Sequence, residues 1–137
     1  MSLERFGKVN FVSEAKVREF MKFLEEGKIA GTRCKKCKKL HFPPRADCDR
    51  CLSDAVEWIP LGDKCKLLTY TNVHFGPPRF RYECPYLLGL AQFQNGLEVF
   101  APLGKEIRKE EIKIGMDLKL TVTELMGNRI IYELRKP

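Results

Sequence analysis

Two CxxC pairs, Cys34-Lys35-Lys36-Cys37 and Cys48-Asp49-Arg50-Cys51, lie in one short loop and constrain this chain more than any other feature. Four thiolates at that spacing can close a tetrahedral shell around a single ion. The predicted ligands are therefore Cys34, Cys37, Cys48 and Cys51. With all four positions filled no coordination site is left open, so the metal is structural. Its binding energy, about 10–16 kcal/mol for zinc-finger peptides, becomes folding energy for a loop too small to hold a core. Zinc is the expected ion, and a rubredoxin-type iron suits the same cage. His41 lies between the pairs and competes as a ligand, but a filled shell makes it a surface or packing residue.

Charge gathers at the same place. The chain of 137 residues carries a formal +7, and Arg33, Lys35, Lys36, Lys38, Lys39, Arg45 and Arg50 outnumber Asp47 and Asp49 across the clip. Such a surface attracts nucleic acid, phosphorylated ligands and acidic proteins alike. The balance of 44% hydrophobic and 31% charged residues is that of a globular protein. No apolar run approaches the ~20 residues of a membrane span, and MSLERFGKVNF lacks the pattern of a secretory signal. A cytoplasmic protein without membrane contact is expected.

The pattern predicts a mainly β fold with an N-terminal α-helix. Residues 11–30 read as the helix, with Ser13 as its cap, Val17, Phe20, Met21 and Leu24 along one face, and Gly27 as its stop. That face must dock, and packing on the rest of the chain is favoured over a partner surface. Beyond the clip come five β-rich runs, Cys65 to Val73, Tyr86 to Phe93, Leu97 to Pro102, Leu118 to Glu124 and Ile130 to Leu134. Asn95-Gly96 and Met126-Gly127-Asn128 supply hairpin turns, and Ile107 to Gly115 connects the third run to the fourth. Five such strands fit a five-stranded OB-fold barrel, and an open sheet fits the strand count as well. The division is then 1–30 helical segment, 31–60 zinc ribbon and 61–137 barrel. If the first two runs pair as a hairpin, Cys65 faces Phe93. Cys84 then lies roughly 30 Å away along the strand, far beyond reach of a disulfide.

The loop His74-Phe75-Gly76-Pro77-Pro78-Arg79-Phe80-Arg81-Tyr82 alternates basic and aromatic residues. Arg79 and Arg81 can grip phosphates while Phe75, Phe80 or Tyr82 stacks on a purine, which serves single-stranded nucleic acid and adenine nucleotides alike. A loop whose aromatics fold back on the barrel is the plainer alternative. For catalysis the inventory is thin, with two histidines, the serines Ser2, Ser13 and Ser53, and the clip cysteines committed to metal. Ser13-Glu14-Ala15-Lys16 matches a bare SxxK without companion motifs. No nucleophile and base can be paired, so an enzyme is not expected.

The order of parts carries a family resemblance. A helix ending in Glu26-Gly27-Lys28 leads to a clip with Phe42-Pro43-Pro44-Arg45 between its knuckles. Trp58 comes next, then a Gly62-led entry into strands that include Pro85-Tyr86-Leu87-Leu88-Gly89-Leu90. Together these resemble the DUF35 family, in which a rubredoxin-like zinc ribbon is joined to an OB-fold. The resemblance implies a non-catalytic acyl-CoA-binding accessory or scaffold protein associated with a thiolase-type enzyme. In archaea one member bridges an acetoacetyl-CoA thiolase to hydroxymethylglutaryl-CoA synthase. The four clip cysteines carry over residue by residue, whereas no CoA motif does. Arg79, Phe80, Arg81 and Tyr82 are the candidates for coenzyme A or acyl-CoA from their own chemistry. The alternative reading is a single-stranded nucleic-acid-binding protein, less favoured because the strands offer few aromatics outside core positions.

Overall fold

The computed structural model describes residues 17–137, with the side chain of Arg79 outside that description. By contact the described chain forms two compact units. One holds the residues up to Gly62 together with Val122–Ile131, the other Asp63–Thr121 and Tyr132–Pro137.

In the first unit, helix α1 (Glu19–Glu25) precedes strands β1 (Ala30–Cys34), β2 (Leu40–His41) and β3 (Val56–Pro60). Phe20, Met21 and Leu24 are buried as their spacing predicted, each worth about 1.5–3 kcal/mol on leaving water. The helix docks within its own unit. Phe20 meets Phe42 edge-on at 6.1 Å and Phe23 lies 5.4 Å from Trp58 between ring centroids. The helix is shorter than predicted at its C-terminal end. Gly27 adopts φ +74°, its N–H donates to the Leu24 carbonyl, and the Lys28 N–H donates to the Phe23 carbonyl. This pair of bonds closes the last turn and turns the chain out of the helix, so residues 28–30 lead into β1 instead. The Ser13 cap and the residues of the helix before Val17 lie outside the described residues.

The three strands of this unit form an antiparallel sheet in the order β2-β1-β3. Thr32 stands opposite both His41 and Trp58. The β1–β2 approach requires Gly31, because a Cβ there would come 2.5 Å from the His41 carbonyl oxygen.

The second sheet contains β4 (Lys64–Val73), β5 (Tyr86–Phe93), β6 (Glu98–Pro102), β7 (Asp117–Leu125) and β8 (Arg129–Arg135). Each matches a predicted run to within one residue at either end. The order is β6-β5-β4-β7-β8. Among the described residues its end strands are linked by one isolated parallel bridge, Leu103 with Leu134, so the paired strands form an open order and not the continuous ladder of a closed barrel. Inside the second unit, Leu67, Ala91, Val99, Leu118 and Leu134 are buried. Gly89 sits among them where a Cβ would meet Leu67, Leu134 and Leu103 at 3.1 to 3.3 Å. A bulge interrupts β4 between Leu67 and Thr69. The connection from β6 to β7 holds a 3-10 turn at Lys109–Glu111, with Ile107 buried and Ile114 exposed. Among the described residues no helix is long and apolar enough to cross a membrane.

Candidate metal centre and ligand loop

The two knuckles are built alike. Lys38 donates its N–H to the Cys34 carbonyl at 2.9 Å and Leu52 to the Cys48 carbonyl at 3.0 Å. In return the Cys34 and Cys48 amides donate to the carbonyls of Lys39 and Ser53. Lys38 and Leu52 both take positive φ, 65° and 62°, a conformation that costs a residue with a Cβ about 1–2 kcal/mol. Each knuckle also aims amides at sulfur: the Cys37 N–H at Cys34 Sγ (3.5 Å) and the Arg50 N–H at Cys48 Sγ (3.4 Å).

Across the knuckles, Cys34 Sγ lies 3.4 Å from Cys51 Sγ and Cys37 Sγ 3.5 Å from Cys48 Sγ. All four sulfurs fall within 4.8 Å of one another. A tetrahedron with metal–sulfur bonds of about 2.3 Å has edges of about 3.8 Å, so these residues fit one four-coordinate ion. The electrostatics agree. The Cys37 amide lowers the Cys34 thiol and the Lys39 amide lowers that of Cys37. Cys51 is pushed up to about 11, because its neighbouring thiols and burial outweigh the amide of Ser53. Four thiolates so close need a cation to ionise together. Arg50 ties the knuckles by donating to the Cys37 carbonyl at 2.9 Å, and Lys39 pairs with Asp49 at 2.6 Å.

His41 is only 5% exposed, which makes it the packing residue of the two readings. Its Nε2 is buried without a hydrogen-bond partner, its Nδ1 stands 4.0 Å from Asp49 Oδ1, and burial holds its pKa below the usual range. The β-pairing of His41 with Thr32, which carries it inward, had no signal in a two-residue strand.

Cys65 stands opposite Phe93 as expected, and Cys65 and Cys84 are both free thiols. Burial pushes Cys65 up to about 11.

The loop between β4 and β5 folds as a 3-10 helix over Pro78–Glu83, an element that the sequence reading, a loop joining two strands, did not include. Phe80 turns back and lies 6.1 Å from Tyr86 between ring centroids. Tyr82 and Phe75 are 94% and 98% exposed, and Arg81 is exposed. The structure thus separates the loop aromatics into one that packs and two that stand in solvent. The side chain of Arg79 lies outside the described residues.

Two family models match the chain, the ChsH2 rubredoxin-like zinc ribbon domain over residues 21–57 and the ChsH2 C-terminal OB-fold domain over residues 58–123. A DUF35 domain-containing scaffold protein of Methanocaldococcus jannaschii is 30% identical over 104 residues, 75% of this chain and 73% of the relative. The benzoylsuccinyl-CoA thiolase subunit BbsA of Thauera aromatica is 30% identical over 113 residues, 79% of this chain and 76% of that protein. Among solved structures, the Ltp2-ChsH2(DUF35) aldolase superimposes with a TM-score of 0.72 over 85% of this chain and 91% of that chain, at 24% identity, a likeness of fold.

Proposed function

The chain belongs to the DUF35 family, and from that membership we propose that it is a non-catalytic accessory protein that binds acyl-CoA and associates with a thiolase-type enzyme. The observation that carries this reading is its similarity to BbsA, named as a thiolase subunit, along three-quarters of both chains. The name of the Methanocaldococcus jannaschii relative, a scaffold protein, supports an accessory role. A scaffold of this kind can serve one enzyme or bridge two, such as an acetoacetyl-CoA thiolase and hydroxymethylglutaryl-CoA synthase.

In this reading Cys34, Cys37, Cys48 and Cys51 hold a structural zinc ion that shapes the ribbon and takes no part in chemistry. The loop after β4 receives the nucleotide end of CoA. Arg79 and Arg81 meet its phosphates and the exposed ring of Tyr82 offers the adenine a stacking face, while Phe80 braces the loop against Tyr86. Nucleic acid would use similar groups, so the two readings are separated by titration.

The test is calorimetric titration of the zinc-loaded protein with acetyl-CoA and, in parallel, with a short single-stranded oligonucleotide. Saturable binding of acetyl-CoA that weakens in Arg79→Ala is expected. Tight oligonucleotide binding without acetyl-CoA binding would overturn the acyl-CoA reading. Acetyl-CoA affinity unchanged by Arg79→Ala and Tyr82→Ala would remove the loop from the site while leaving the accessory role standing.

A further inference from the structure

A sheet with one face in a core alternates apolar residues inward with polar residues outward. Strands β4, β5 and β6 depart from that rule on their outer side. Gly89 and Ala91 of β5 face the core, so the residues between and beside them face away. There the register sets Thr69 beside Leu90 and Leu90 beside Phe100, then Thr71 beside Leu88 and Leu88 beside Pro102. These two rows cross three strands without a charged residue. Phe100 is 58% exposed, and Leu88, Leu90 and Pro102 are half-buried among their neighbours. Charge returns in the next row, Lys66, Gln92 and Glu98. An uncharged, partly apolar centre bounded by a polar row is the anatomy of a protein interface.

The neighbouring edge does not invite strand addition. β6 ends the sheet, but Pro102 has no N–H to offer and Glu98 is charged, both of which discourage pairing with another chain. The face, not the edge, is the element left to dock. Charge selects its occupant. Nucleic acid requires lysine or arginine to neutralise phosphates, and these rows hold none. A second copy of the chain brings its own formal +7 against the first, whereas an acidic protein is drawn toward it.

We propose that the outer face of β4, β5 and β6 docks an acidic partner protein, the thiolase-type enzyme, through the rows centred on Leu88 and Leu90; the identity of that partner rests on the accessory role proposed above. Thr71 and Phe100 are exposed, so their substitution leaves the core intact. A negative charge at the β4 end of the patch would repel an acidic partner, and loss of the Phe100 ring at the β6 end strips the most exposed apolar group from the face.

The experiment measures the affinity of the full-length, zinc-loaded protein for the thiolase-type enzyme of the same organism, with sedimentation of each protein alone. Thr71→Glu and Phe100→Ser, checked for unchanged far-ultraviolet spectra, are each expected to weaken the complex by ~10-fold or more, while Gln94→Glu, beyond the polar row, leaves it unchanged. A complex that forms with the same affinity in both variants overturns the proposed face alone and leaves the accessory role intact. Absence of any complex overturns both, and so does a dimer of this chain that Thr71→Glu dissociates in place of an enzyme complex.

Discussion

At the scale of single residues, Glu111 shows how a surface carboxylate can shape the acid limit of stability. Its hydrogen bond to Lys136 and those to Arg108 lower its pKa from 4.5 to about 2, with contacts of 2.8 and 3.0 Å. The folded form therefore holds its proton less readily than the unfolded chain. Its contribution is fully present above about 4.5 and is lost as pH falls through about 2. Denaturant midpoints measured across that window should fall with acid in the wild type and flatten in Glu111→Gln. An equally steep decline in the variant would show that Glu111 does not contribute. His41 marks the limit of residue-by-residue reading. Its neighbours in sequence are lysine, leucine and phenylalanine, and only the pairing of its strand with Thr32 carries it inside. The four ligand candidates were legible for the opposite reason, since their spacing is itself the geometry.

At the scale of elements, the strands of the second sheet were readable because alternation and the Asn95-Gly96 turn are local signals. The strands of the first were not. β1 reads Ala-Gly-Thr-Arg-Cys and β2 has two residues, too few for a period to show. The 3-10 helix after β4 was hidden as well, because Gly-Pro-Pro marks a stiff turn but leaves the conformation of the residues after it open. The end of α1 was half-legible: Gly27 marks the stop, but only its φ of +74° and the two closing bonds show how sharply the chain turns there. Space is open around the position of a Cβ at Gly27, so Gly27→Ala tests conformation alone. We expect it to destabilise the fold by about 1 kcal/mol through the left-handed backbone, measured by chemical denaturation. No change in midpoint would mean that the helix end relaxes into another cap.

At the scale of the molecule, stability is expected to come from two different sources. The first unit places a four-sulfur cluster beside a small sheet and one short helix, while the second buries a continuous set of leucine, valine and alanine side chains. Removing metal with a chelator should release the amides of β1 and β3 to hydrogen exchange, with those of β5 still protected. Uniform loss of protection in both sheets would show instead that the chain unfolds as one cooperative body. The bulge in β4 governs how the second sheet presents itself. Upstream of it Lys66 points outward and Leu67 inward, while downstream Thr69 and Thr71 share the outward side. Leu68 is the inserted step that resets this phase. Were Leu68 taken into the regular ladder instead, the rest of the strand would turn over like a page, sending Tyr70 and Asn72 to the outside and drawing Thr71 and Val73 within.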